Sequence, residues 1–125
     1  MLITRGKLES LYNITLKLSS KQFSIQTQYK FLKLKKSLLD ELDIYREQRA
    51  GLQRFFELDE EGNPVRLDAY TIKIKEGKRE ELYKAIEEIE SVEIQVPDLY
   101  FSLDELENLG LTLDDLEVLD QFIKE

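Results

Sequence analysis

The sequence predicts a predominantly helical α+β fold, in which one long central helix packs on shorter helices beside a small two- to three-stranded sheet. Three observations indicate it: a long apolar stripe between residues 24 and 56, alternating segments between residues 65 and 96, and two helix-capping sequences near the C-terminus. With 125 residues, of which 42% are hydrophobic, the chain is long enough for one core. We expect a single domain over residues 1–125, made of a helical hairpin-like part (1–56), a small α/β part (57–97) and an acidic C-terminal helical pair (98–125).

Two helices are predicted in the first part. Helix one is expected from Thr4, as its N-cap, to Leu18. Ser24 is expected to cap the long helix. Apolar residues at helical spacing continue through this second helix to the end of the part; they are Phe31, Leu34, Leu38, Leu42, Tyr45, Leu52 and Phe56.

The middle part begins with a turn signal, "DEEGNP", at residues 59–64. Alternation predicts strands in "VRL" (65–67), "YTIKIK" (70–75) and "VEIQV" (92–96), and helical spacing predicts a helix over residues 78–90. We expect one small sheet built from residues 65–75 and 92–96. If the last two strands are neighbours, the helix between them favours parallel pairing.

Two short helices are predicted in the tail, separated by Gly110. Ser102 with Glu105, and Thr112 with Asp115, have the spacing of capping boxes. Acidic residues crowd the first turns of both helices, where a negative charge is favoured. Much of the acidity of the tail therefore has a structural explanation.

Charge is distributed unevenly along the chain. Residues 1–36 contain eight basic residues and one acidic residue, whereas residues 87–125 contain one basic and thirteen acidic residues. A basic front and an acidic tail attract each other, within a molecule or between molecules. Together with the long apolar stripe, this makes the chain a candidate for self-association. The candidate partner-contact residues are Lys30, Lys33, Lys35, Lys36, Asp104, Glu105, Asp114, Asp115 and Glu117.

Composition also excludes classes of function. The chain has no Cys and no His, which removes thiol nucleophiles, the usual zinc sites and the usual neutral-pH general base. A calcium loop in "LDEEGNPVRLD" (58–68) is rejected because, counted from Asp59, Gly62 is its fourth position and Pro64 its sixth, where such a loop requires Gly. We therefore predict no enzyme, and no catalytic, cofactor or metal site.

The charged residues also indicate where the protein is located and whether it binds nucleic acid. Arg5 and Lys7 interrupt the apolar positions at the N-terminus, so neither a signal peptide nor a membrane span is expected, and a cytoplasmic location is predicted. Basic residues near Tyr29 and Phe31 could bind nucleic acid, but the acidic tail repels phosphates, so direct binding is not favoured. The opposite alternative is that the acidic surface mimics nucleic acid and inhibits a nucleic-acid-binding enzyme of the host or of a defence system.

Four segments of the chain carry a resemblance to a known family. They are "FSIQTQYKFLKLKKSLLDELDIYREQR" (23–49), "DEEGNPV" (59–65), "SVEIQV" (91–96) and "LTLDDLEVLDQFI" (111–123). Together they resemble a family of small uncharacterised proteins encoded by phages and prophages of Gram-positive bacteria, over nearly the whole chain. The resemblance implies a phage-associated, intracellular protein that acts by contact with a phage or host protein. It brings no established activity, cofactor or site residue.

Overall fold

The fold is a long helix with shorter helices and a two-stranded sheet, as the sequence predicts. It was obtained as a computed structural model, which describes residues 1–124. The elements are β1 (Leu2–Thr4), α1 (Leu8–Leu18), α2 (Ile25–Ala50), α3 (Arg79–Glu90), β2 (Glu93–Gln95), α4 (Leu103–Leu106) and α5 (Leu113–Leu119). Three 3₁₀ turns lie at Arg5–Lys7, Gly51–Phe55 and Asp120–Phe122.

The long helix α2 buries the predicted apolar stripe. Its buried residues are Thr27, Phe31, Leu34, Leu38, Leu42 and Tyr45. The helix stops at Ala50, and the 3₁₀ turn Gly51–Phe55 follows it directly and buries Leu52 and Phe55. Ser24 is at the N-cap position, as predicted, but its side chain makes no capping hydrogen bond.

The N-terminus differs from the prediction. Thr4 is at the N-cap position of the 3₁₀ turn Arg5–Lys7, which leads directly into α1 at Leu8, but its side chain makes no capping hydrogen bond. Residues 2–4 form β1, a strand that the sequence did not predict. β1 pairs antiparallel with β2, and Ile3 lies opposite Ile94 with both side chains buried. The predicted sheet of residues 65–75 with 92–96, and its parallel pairing, are therefore wrong. Three residues are too few to show the alternation that distinguishes a strand from the start of a helix. The partner strand also lies about 90 residues away along the chain.

Residues 55–75 instead form a hydrogen-bonded unit of their own. The N–H of Glu57 donates to the carbonyl of Lys73 (2.9 Å), that of Val65 donates to Glu57 (2.8 Å), and that of Lys73 donates to Val65 (2.8 Å). These three residues are eight positions apart in the chain, so three equal segments form a closed ring of backbone hydrogen bonds. Each segment bonds to both others, and none of these hydrogen bonds involves residues 92–96.

Two apolar clusters hold the elements together. The larger cluster joins β1, α1, α2, β2 and the tail, and includes Leu11, Leu38 and Phe101, which are fully buried. The smaller one contains Leu52, Phe55 and Leu82, and it fixes α3 on the end of the long helix. Ile89 of α3 packs against both clusters.

The C-terminal segment packs on α2 through aromatic rings. Phe101 is fully buried and stacks on Phe31, with ring centroids 4.3 Å apart. The main chain of Phe101 accepts a hydrogen bond from Lys124 (2.9 Å) and donates one to Phe122 (2.7 Å). Gly110 separates α4 and α5, as predicted, with φ of +73°, a left-handed conformation that glycine adopts without strain. The tail is thus fixed to the helical hairpin.

Candidate protein-contact surface

The N-terminal half of α2 carries a second row of apolar side chains, outside the core. Ile25, Tyr29 and Leu32 are 81%, 56% and 42% exposed. Their spacing of i, i+4 and i+7 places them along one side of the helix. The neighbouring core residues Phe31 and Leu34 are buried. A rigid helix therefore presents three large apolar side chains to solvent.

A cleft opens beside this row, where the end of α1 meets the beginning of α2. We call it the α1–α2 cleft, and its volume is about 380 Å³. It is lined by Thr15, Leu18, Ser19, Lys21, Phe23, Ile25, Gln28, Tyr29, Phe31, Leu32 and Lys35. Lys21 and Lys35 are the charged residues of this lining, and no carboxylate of residues 1–124 contributes to it. The cleft is positively charged although the chain carries a net charge of −8.

The four candidate lysines of α2 have different surroundings. Lys30 turns toward the tail, where its Nζ donates to the carbonyl of Tyr100 (2.8 Å) and to Oε1 of Glu105 (2.7 Å). Lys30 therefore links α2 to the tail, and Glu105 neutralises its charge.

The other three lysines stay on the outer side of the helix. The ammonium of Lys33 lies 4.8 Å from the centroid of the Tyr29 ring, within the range of a cation–π contact. Lys35 is half-buried in the lining of the α1–α2 cleft, and Lys36 is exposed. These three side chains make no ion pair with any carboxylate of residues 1–124. Their charges are available to a partner.

Two of the candidate carboxylates are engaged inside the molecule. Glu105 completes the capping box of α4 with Ser102 and binds Lys30. Asp115 completes the capping box of α5 and accepts a hydrogen bond from Lys17 Nζ at 2.6 Å. Both predicted capping boxes are therefore confirmed. The attraction between the basic front and the acidic tail acts within the molecule at these two pairs.

These contacts shift the acidity of both groups. The hydrogen bond from Lys30 lowers the pKa of Glu105, assisted by the backbone N–H of Ser102 and partly opposed by desolvation. The hydrogen bond from Lys17 lowers the pKa of Asp115, and the backbone N–H of Thr112 adds to it. A carboxylate that accepts hydrogen bonds in its charged form holds its proton less tightly.

The remaining candidate carboxylates are exposed, and each of the two tail helices also exposes its first leucine. Asp104, Asp114 and Glu117 are exposed and make no ion pair within the described residues. Leu103 and Leu113 lie beside them and are 51% and 82% exposed. We call these five residues the acidic edge. A shallow groove of about 470 Å³ runs between Leu103 and Leu116 and includes Asp104 and Glu107.

Comparisons with known proteins add no relative. No protein-family model, no curated protein and no solved structure matches the chain. The resemblance to phage-encoded proteins thus stays an expectation from the sequence segments.

Two further features of the described residues concern metal binding and membrane crossing. Within residues 1–124, no three or more Asp, Glu, His or Cys side chains form a group that could hold a metal ion. None of the described helices is both long and apolar enough to cross a membrane.

Sequence reasoning missed the apolar part of this surface. Charge alone indicates the lysines, and it gives no indication of Ile25, Leu32 or Leu113. A signal was present, because Ile25, Tyr29 and Leu32 repeat at helical spacing outside the main stripe. The exposure of Leu113 has no such signal in the sequence.

Proposed function

We propose that this protein is a phage-associated, non-enzymatic accessory or assembly protein that acts through protein–protein contacts. The observation that supports it best is the row of Ile25, Tyr29 and Leu32 beside the α1–α2 cleft. Large apolar side chains clustered on a rigid surface are typical of protein interaction sites. Lys35 and Lys36, which form no ion pair with a carboxylate of residues 1–124, give this surface a charge that selects among partners.

The chemistry of the chain favours contact over catalysis. It contains neither His nor Cys, and the structure uses Glu105 and Asp115 for capping and ion pairs. The phage context comes from the resemblance of the sequence segments. It gives a location in the bacterial cell or in the virion.

A second function is supported by the acidic edge. Asp104, Asp114 and Glu117 are exposed carboxylates on short, capped helices. An acidic inhibitor that mimics nucleic acid needs such free charges on a fixed surface. Its target would be a basic nuclease, polymerase or other nucleic-acid-binding enzyme of the host or of a defence system.

Affinity capture from a Gram-positive host, before and after prophage induction, tests both functions. The proposed function predicts that the tagged protein retains a phage structural or assembly protein after induction. Leu32→Asp should abolish this retention, because it places a carboxylate in the apolar row. Leu67→Asp is the matched control, since Leu67 is 65% exposed in the ring of residues 55–75.

The alternative outcomes separate the two functions. Retention of a basic nuclease or polymerase, lost on Asp114→Asn but not on Leu32→Asp, would support the inhibitor. If neither kind of protein is retained above the level of an untagged control, both functions are wrong.

A further inference from the structure

The α1–α2 cleft and the acidic edge are complementary surfaces on the same molecule. The cleft has apolar walls and is charged by Lys21 and Lys35. The acidic edge has a projecting leucine, Leu113, with Asp114 next to it. The sequence separates the charges fully here, because residues 10–39 contain no Asp or Glu and residues 85–123 contain no Lys or Arg. Each surface therefore offers what the other lacks.

We infer that the occupant of the α1–α2 cleft is the acidic edge of a second copy of this chain. Leu113 of one copy enters the apolar cleft of the other, and Asp114 lies against the lysines of the cleft. The inference rests on the proposed function, because it names the first partner of the same surface. Leu113 is 82% exposed in the single chain, so its burial against a second copy removes apolar area from water.

The positions of the two surfaces favour a two-fold dimer. Lys21, a lining residue of the cleft, donates a hydrogen bond from Nζ to the carbonyl of Leu109, just before Gly110 and α5. The cleft therefore lies next to the segment that leads from α4 into α5, the two helices that carry the acidic edge. In a two-fold arrangement each copy gives its edge and receives its partner's, so that both contacts form at once.

The chemistry of the cleft makes a nucleic acid a poor occupant. Phosphate binding needs a run of cationic groups, and the cleft offers two lysines among aromatic and aliphatic walls. The net charge of −8 repels a nucleic acid along its whole length, whereas the acidic edge brings only three carboxylates, beside two leucines, to the cleft. An acidic apolar protein edge satisfies both the walls and the charges.

Sedimentation velocity of the purified full chain tests the inference. A dimer is expected that dissociates on dilution, and more readily at about 500 mM than at about 50 mM salt, because salt screens the charged pairs. Lys35→Glu and Asp114→Lys should each raise the dissociation constant at least about tenfold, since a two-fold interface contains the changed contact twice. Circular dichroism of each variant checks that the fold is intact.

The decisive experiment mixes the Lys35→Glu and Asp114→Lys variants. In a mixture, Glu at position 35 of one copy meets Lys at position 114 of the other, while the native Lys35 and Asp114 meet at the second contact. The mixed dimer should regain an affinity near that of the native chain. Failure of the mixture to associate overturns the inference, as does association that neither reversal weakens.

A third variant tests the apolar part of the contact. Leu113→Asn should shift the chain toward the monomer, whereas Leu67→Asn, which also changes an exposed leucine, should not. A chain that stays monomeric up to about 1 mM, a concentration at which even a weak specific complex is half formed, overturns the inference. The capture experiment is independent of that result: a retained phage protein with a monomeric chain removes the dimer and leaves the proposed function.

Discussion

Replacing Glu105 by Ala should loosen the attachment of the tail, because this side chain has three roles. Its carboxylate accepts hydrogen bonds from the backbone N–H of Ser102 (2.7 Å), from Lys30 Nζ (2.7 Å) and from the Thr27 hydroxyl (3.2 Å). Thr27 is 1% exposed, so its hydroxyl has little access to water as a substitute partner. All three contacts are lost in Glu105→Ala.

The cost can be worked out from these contacts. Loss of the capping interaction costs about 1 kcal/mol. The ion pair contributes about 0.5–1 kcal/mol, a value for surface pairs, because the Lys30 side chain is 34% exposed. The Thr27 hydroxyl left without an acceptor costs about 1 kcal/mol. Glu105→Ala should therefore lower the free energy of unfolding by about 2.5–3 kcal/mol.

The matched control is Asp104→Ala, one residue earlier in the same helical turn. Asp104 is exposed and makes no side-chain hydrogen bond within the described residues, so its replacement should cost less than about 0.5 kcal/mol. Urea unfolding followed by far-ultraviolet circular dichroism measures both values, at a protein concentration low enough to keep the chain monomeric. If the two variants differ by less than about 1 kcal/mol, the tail is not held by Glu105 and the reasoning is wrong.

Two further predictions concern stability. The folded-state pKa values of Glu105 and Asp115 lie below the ordinary values of 4.5 and 3.8. The two carboxylates therefore stabilise the fold at a pH above their ordinary pKa values, and this stabilisation is lost as the pH falls through the folded-state pKa values. Urea midpoints should drop on acidification below about pH 5, and a Glu105→Gln/Asp115→Asn double variant should show a shallower drop; an equal slope would contradict this. Phe101→Ala should cost about 3–5 kcal/mol in the same unfolding assay, because the ring is fully buried on Phe31. The control Tyr100→Ala removes a 42% exposed ring and should cost about 1 kcal/mol or less, and a similar cost for both would show that the tail does not share the core.

Local patterns predicted the helices well. The apolar spacing along α2 and α3 gave elements that the structure contains at Ile25–Ala50 and Arg79–Glu90. The two predicted capping boxes, at Ser102 and Thr112, are also confirmed. In each case the information lies within a few neighbouring residues, because helix periodicity and capping are short-range effects.

The candidate residues were predicted less completely. Charge indicated Lys30 and Lys35 equally, yet the structure pairs Lys30 with Glu105 and leaves Lys35 in a cleft. A sequence gives the number of charges but not their distances, and a few ångströms decide whether a lysine is paired. The exposed row at Ile25 could have been recognised from its spacing, whereas the exposure of Leu113 could not.

The sequence by itself determined that this chain folds mainly as helices, where the long helix lies, how the tail helices start, and that thiol and imidazole chemistry is absent. Only the tertiary structure decided that Leu2–Thr4 is a strand paired with Glu93–Gln95, and that residues 55–75 close into a ring. It also decided which charges pair across the fold and which apolar side chains stay exposed. The reason is physical: helices follow from contacts three or four residues apart, whereas strand pairing, ion pairs and burial depend on residues that meet only after the chain has folded.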